Sequence, residues 1–376
     1  MRIIQEKQLD FSDVLIQPRR STIESRKCVD LTRDYKFKWC PNVIKGTGIM
    51  QANMGTIGNF EVSKKMLDYG LFACLHKHHN IEDLISFYKK LMNDGDDKWM
   101  RCLLGIGLRD NGIEKLRAIN NELGIQVGVK FDVPNGYIPQ VKESVIKLRE
   151  EFPDMFIMVG NVVTGDITED LILSGADVVC VGVGGGSACL TRKQTGCGRP
   201  QLSAVIECAD SAHQVGGMVC SDGGVTCPGD VGKAFGAGAD MIMMGGMFAG
   251  TDEADGEIIE KRYATNERLV HSYGITESHE IVYETKKYKQ FYGMSSTLAQ
   301  EKFGNGKPSY RASEGRVTLV PYVGSVTDVI EELLGGLRST MSYIGAKKLK
   351  DIPKQCTFYR VNNQLNRIYE NTTIGK

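Results

Sequence analysis

The sequence predicts an α/β chain closed into a (β/α)8 TIM barrel, with a long lid segment after the eighth strand. Three observations carry that prediction. Eight short apolar runs recur along the chain, and amphipathic stretches separate them, so strand and helix alternate. No run reverses the order, which fits parallel strands closing on themselves. A polar and aromatic excursion then follows the eighth run. The alternative is an open doubly wound sheet. That fold wants a dinucleotide fingerprint at its first strand, whereas this strand ends in ANMGT.

The strands read at 49–53, 71–76, 102–107, 127–133, 155–161, 178–183, 217–222 and 241–246. Helical patterns lie at 62–67, 81–91, 113–123, 138–151, 168–173, 201–214 and 229–235, with a last helix near 327–349. Residues 1–48 precede the first strand and are expected to cap the far end of one barrel domain spanning 1–376. The stretch 249–325 is expected to be a lid, with a mobile middle at 251–287 and an ordered return at 293–315.

At 376 residues the chain can bury a large core. Its 46 basic and 46 acidic residues cancel, so neither nucleic acid nor an acidic membrane is an expected partner. No run of eighteen apolar residues occurs, and the N-terminus has no apolar signal core; neither membrane spanning nor secretion is expected. The eleven cysteines are odd in number, and several sit in apolar runs. They read as reduced thiols in a cytoplasmic protein rather than as a disulfide framework.

In a barrel, chemistry gathers where strands end. That mouth collects Asn53, Lys77, Asp132, Asn161, Cys189, Asp222 and Gly245. Cys189 lies in a glycine-rich turn, VGVGGGSACLTRKQTGCGRP, with Arg192 and Lys193 close in sequence. An accessible turn and a nearby cation favour a nucleophilic thiolate, although a bland turn cysteine is the competing reading. Thr191 reads either as a polar turn residue or as a proton relay. The glycine turns SDGGVTCPGD and MGGMFAG follow the seventh and eighth strands, where barrels hold phosphate. Asp222 reads equally as a helix cap or as an acceptor of sugar hydroxyls. HKHH at 76–79 is a weak metal motif, because neighbouring side chains in extended chain diverge. Lys77 is the better candidate there, as a phosphate or amide contact. Asp132 faces the same mouth, with a salt bridge, for instance to Lys77, as its structural reading. Glu314 in RASEGR is placed to act as an acid or base.

Together these residues resemble the IMP dehydrogenase/GMP reductase family. The likeness is densest in LDFSDVLIQPRRST, GNVVTGD, GSACLTRKQTG, QLSAVIECAD, SDGGVTCPGDVGKAFGAGAD, FYGMSS and YRASEG. It covers nearly the whole chain and implies the same barrel. The reductase branch is the closer match. No room exists between Leu75 and Arg101 for the CBS pair of the dehydrogenases, and Glu314 stands where those carry glutamine before the glycine.

The resemblance implies NADPH-dependent reductive deamination of GMP to IMP through a covalent Cys189 thioimidate, with Thr191 and Glu314 as the acid relay. It implies a GMP site of Ser187, Asp222, Gly223, Gly224, Gly245, Gly246, Gly293, Met294, Ser295, Arg311, Ser313 and Gly315. For NADPH it implies Lys77, Asp132, Val133, Pro134, Val183, Gly184 and Tyr310. Ser25, Arg26, Ser339, Thr340, Met341 and Ser342 would reach that cofactor from a neighbouring subunit of a homotetramer. Carbonyls of Gly184, Gly186, Cys189 and Arg192 would hold a potassium ion. Two departures from the family pattern stand out: Gly55 replaces the aspartate of ANMDT, and Gly185 replaces a frequent proline. Arg262-Tyr263 resembles a dehydrogenase lid dyad but precedes Gly293-Met294-Ser295, so the role is not carried over. A dehydrogenase lacking its regulatory domains and a non-catalytic nucleotide-binding barrel remain the competing readings.

Overall fold

The computed structural model describes residues 1, 3–95, 97–108, 111–133, 135–273, 276–304 and 312–362. Eight parallel strands form one sheet: β1 Ile49–Gln51, β2 Ala73–Leu75, β3 Cys102–Ile106, β4 Val129–Asp132, β5 Ile157–Val162, β6 Val178–Val181, β7 Met218–Asp222 and β8 Met241–Met244. Each lies inside a strand read from the sequence except β5, which runs one residue further. The order is β1-β8-β7-β6-β5-β4-β3-β2. Between β1 and β2 the ring closes through the Phe72 N–H on the Ile49 carbonyl at 3.0 Å and a parallel bridge between Thr47 and Leu71. The fold is the (β/α)8 barrel.

The helices alternate with the strands: α1 Phe60–Asp68, α2 Ile81–Asn93, α3 Gly112–Leu123, α4 Pro139–Glu151, α5 Gly165–Leu173, α6 Gln201–Gln214, α7 Pro228–Gly236 and α8 Val326–Ile344. Local signals start and stop them. Asn59 and Asn80 cap α1 and α2 by accepting backbone N–H groups, and Gly345 ends α8 at φ +75°. Strand residues such as Ile49, Leu104, Val159 and Ile242 are fully buried, as strands covered on both faces must be. All eleven cysteines are free, and Cys74, Cys102, Cys180 and Cys220 pack in the strands as small apolar groups.

The N-terminal segment serves both ends of the barrel. Trp39 and Cys40 donate backbone N–H groups to Asp177, and Arg33 pairs with Asp240, so residues 33–40 cover the ends where β6 and β8 begin. Residues 9–11 lie at the mouth instead. Leu9 bonds Ser203, the Gln201 N–H donates to Asp10 at 2.6 Å, and the Phe11 carbonyl accepts from Lys233.

The excursion after β8 carries more regular structure than a loop. Ile258–Tyr273 and Thr276–Tyr292 pair as a long antiparallel ribbon, and Val317–Pro321 adds a third strand along residues 288–292. Buried Lys289 anchors its base by donating to the carbonyls of Thr251, Asp252 and Ala254. Arg262 lies 4.9 Å over the Tyr283 ring, and Tyr263 meets Tyr288 edge-on, so the dyad packs the ribbon itself. A helix, Thr297–Phe303, follows on the return.

Candidate active site

The thiol of Cys189 donates to Thr191 Oγ1 at 3.2 Å, and Thr191 Oγ1 donates to Glu314 Oε2 at 2.7 Å. All three side chains are half-buried. Such a chain moves a proton between a thiol and a carboxylate in either direction. Backbone contacts hold it together. Leu190 N–H donates to the Glu314 carbonyl at 2.6 Å, Arg316 N–H donates to the Ala188 carbonyl at 3.0 Å, and Cys189 and Gly315 form an antiparallel bridge. The Arg316 guanidinium locks the same junction by donating to the Ser187 carbonyl, Nε at 2.8 Å.

Glycine is required at this seam. A Cβ at Gly293 would lie 2.9 Å from the Ala188 carbonyl oxygen, and one at Gly315 would lie 2.7 Å from Ser296 N. Met294, Ser295 and Ser313 are thereby brought beside the cysteine loop, with Ser313 Oγ donating to the carbonyls of Ser295 and Gly315. Arg311, Tyr310 and Pro134 lie outside the described residues.

The loops after β6, β7 and β8 converge in the same way. Gly223 and Gly224 have φ of +90° and +79°. A Cβ at Gly223 would lie 3.1 Å from Gly186 N, and one at Gly246 would lie 2.6 Å from Ser187 Oγ. Ser187, Gly223, Gly224, Gly245 and Gly246 thus form one cradle of backbone groups, the arrangement that suits an anion. Asp222 stands beside it, accepting from Asn161 Nδ2 at 2.8 Å. Burial raises its carboxyl above the ordinary aspartate range, against the attraction of Lys130 and the Asn161 bond.

Several sequence expectations are redrawn here. The Arg192 guanidinium turns away from the thiol, toward Asp10 at 3.2 Å and the Arg199 carbonyl at 2.6 Å, with its stem across Gly184 and Gly198. The one-residue spacing from Thr191 puts it on the outer side of a short helix, Thr191–Thr195. Asp132 pairs with Lys130 at 2.6 Å, with Lys77 acting on it through its charge. The three histidines are an aromatic stack rather than a ligand set. His76 lies 3.8 Å from His79, and His78 lies 4.3 Å from Phe303 of the lid helix. Burial, then the neighbouring histidines, lower the pKa of His76 to about 3. No cluster of three or more His, Cys, Asp or Glu fit for a metal occurs among the described residues.

Ser25 caps a turn at Arg26–Cys28, which packs on α8, the helix of Ser339, Thr340, Met341 and Ser342. Thr340 faces Gly232 of α7, so within one chain this group belongs to the outer helical layer. Lys130, Lys115 and Arg316 are the residues that the sequence reading missed. Lys115 Nζ donates to the carbonyls of Lys77 and His79 and steadies that loop. The available signal for Lys130 was its spacing: it lies two residues before Asp132 in a strand, on the same face.

Comparison with known proteins agrees with this arrangement. Residues 8–367 match the model of the IMP dehydrogenase / GMP reductase domain. The chain is 44% identical to a GMP reductase of Aliivibrio salmonicida, covering 98% of this chain and 99% of that protein. It is 44% identical to GMP reductase 2 of Mus musculus over 97% of both chains, and to GMP reductase 2 of Homo sapiens over 96% of both. No described helix is long and apolar enough to cross a membrane. On these grounds the chain belongs to the IMP dehydrogenase/GMP reductase family.

Proposed function

We propose that this chain is a GMP reductase, forming IMP and ammonia from GMP with NADPH as reductant. The observation that carries the reading is the line of contacts from Cys189 through Thr191 to Glu314, set beside the glycine cradle. Relatives named GMP reductase that align over nearly the whole chain support it.

The residues suit the chemistry. Cys189 passes its proton through Thr191 to Glu314, and the thiolate adds to C2 of the guanine. Glu314, now a carboxylic acid, returns the proton through Thr191 to the 2-amino group. The C2–N bond breaks, ammonia leaves and a Cys189 thioimidate remains. Covalent addition splits one hard displacement into two easier steps, and protonation makes the amine a leaving group. Bound NADPH supplies the hydride that C2 must gain before the thiolate departs.

Asp222 accepts the ribose hydroxyls, and Ser187 with Gly223, Gly224, Gly245 and Gly246 receives the phosphate. Met294, Ser295, Ser313 and Gly315 frame the base. Lys77, Asp132, Val133, Val183 and Gly184, at strand ends of the same mouth, are the residues to hold NADPH. A second copy in a homotetramer would add Ser25, Arg26 and Ser339–Ser342. The carbonyls of Gly184, Gly186, Cys189 and Arg192 are hard oxygen donors, which suit a monovalent cation such as potassium. Two of them, Gly186 and Arg192, already accept one backbone N–H each and keep a second lone pair. The cytoplasm is the compartment that fits eleven free thiols.

The test follows NADPH absorbance in the near ultraviolet with GMP and potassium present. Loss of absorbance that requires GMP, with IMP and ammonia formed, is the expected result. No loss with GMP, together with NADH formation from IMP and NAD, would overturn it in favour of a dehydrogenase.

A further inference from the structure

One buried charge has no role in the chemistry above. Lys130 is 2% exposed, with its side chain inside the barrel. Its Nζ lies 2.6 Å from Asp132 Oδ1, on the next inward position of β4. It also faces Cys74 of β2, Cys180 of β6 and Asp222 of β7. Asp132 is held in addition by Asn53 and by the charge of Lys77, and Asp222 by Asn161. The interior thus carries a line of partners, Asn53–Asp132–Lys130, continuing by charge to Asp222 and Asn161.

A lysine is an expensive way to fill a barrel interior. Burial alone strips its ammonium of water and drives it toward the neutral form. An apolar side chain of equal length would pack as well. The lysine is explained by what surrounds it: two carboxylates that end β4 and β7 and repel each other across a poorly solvated space. Without a cation between them, one would take up a proton. The carboxylates in turn outweigh burial and keep Lys130 charged.

We propose that Lys130 is a positioning residue that holds Asp132 and Asp222 as paired carboxylates at the barrel mouth, so that Asp222 meets its ligand ionised. The ligand assignment rests on the reading of Asp222 as the acceptor of the ribose hydroxyls of GMP. A protonated Asp222 has one fewer acceptor position for a diol, so losing Lys130 weakens GMP binding most at low pH.

The experiment uses full-length protein labelled with 13C at the aspartate carboxyl and titrated by NMR without ligand, with Asp222→Asn to assign the signal. In Lys130→Met the Asp222 midpoint is expected to rise by about one pH unit or more, since a neighbouring opposite charge shifts a carboxylate by about 1–3 units. The acid limb of GMP affinity should move with it, giving a loss of about tenfold at pH 6 and less at pH 8.5. If Lys130→Met does not fold, Lys130→Met/Asp132→Asn removes both charges of the pair; its Asp222 midpoint is expected to remain above wild type. An Asp222 midpoint unchanged from wild type in the folded variant overturns the proposal. A midpoint that rises while GMP affinity does not follow leaves the charge coupling standing and removes the ribose assignment of Asp222.

Discussion

Thr191 Oγ1 donates to Glu314 Oε2 at 2.7 Å, although 123 positions separate the two residues in the chain. The hydroxyl also accepts from the Cys189 thiol. A threonine so placed has one proton to give and lone pairs to receive, so it conducts a proton only while both neighbours stay in register.

Removing any member should therefore stop the reaction at a different point. Cys189→Ala is expected to abolish turnover while GMP still binds; undiminished turnover would rule out covalent addition. Thr191→Val keeps the shape and removes the hydroxyl, and should slow deamination by about 10²–10⁴-fold. Glu314→Gln should impair deamination more than hydride transfer. Rates measured from GMP with NADPH and from IMP with NADP separate the two, and equal losses would contradict the relay.

Gly55, where the family pattern has aspartate, is matched by its neighbour. A Cβ there would fall 2.7 Å from the Phe303 ring, which stacks on His78, and the Gly55 N–H already meets Met294 Sδ at 3.1 Å. Gly55→Asp should push the lid helix off the barrel at a cost of about 1–3 kcal/mol. KM for GMP should rise, and Gly55→Asp/Phe303→Ala should recover part of the loss. An unchanged KM in the single variant would show that the lid does not depend on this contact.

Asp177 is fully buried and accepts the N–H groups of Trp39, Cys40 and Ile157 and a guanidinium N–H of Arg149. Asp177→Ala leaves those donors and a half-buried arginine unanswered. A loss of about 3–5 kcal/mol is expected in denaturant unfolding. A midpoint within experimental error of wild type would mean that the N-terminal segment holds without this tie.

His213 supplies a pH-dependent term. Its hydrogen bond to Asp240 at 2.8 Å raises its pKa, against the opposing effect of burial. A raised folded-state value means that the stabilisation is complete below the unfolded value of about 6.5. It is lost as pH rises through the higher folded-state value. The side chain is 45% exposed, so the effect should stay below about 1 kcal/mol. Unfolding of His213→Gln and wild type should differ at pH 6 and converge by pH 9; a gap that widens with pH would reverse the sign.

The barrel was legible because its strands are local signals. Runs such as those at 102–107 and 178–183 are apolar throughout, and helix patterns such as 201–214 repeat at the helical period, so both could be placed within a few residues. The ribbon at 258–292 was not legible. Its strands are mostly polar and exposed, with a pairing shift between Ala264 and Arg268, so they lack the half-buried alternation that marks a strand.

The site divides along the same line. Cys189, the glycine turns and Glu314 stand out by residue type and by family likeness, and that much the sequence by itself determined. Which atoms meet was decided only by tertiary structure. Arg192 is three residues from Cys189 yet turns to Asp10, whereas Glu314 is far along the chain yet shares a proton path with it. Lys130 was invisible for the same reason: in one dimension it interrupts an apolar run, and in the barrel it stands between two carboxylates. Hydrophobic periodicity sets where chain segments go because it acts over neighbours in sequence. Hydrogen bonds and charges act over a few ångströms of space, and closing the barrel is what brings those groups within reach.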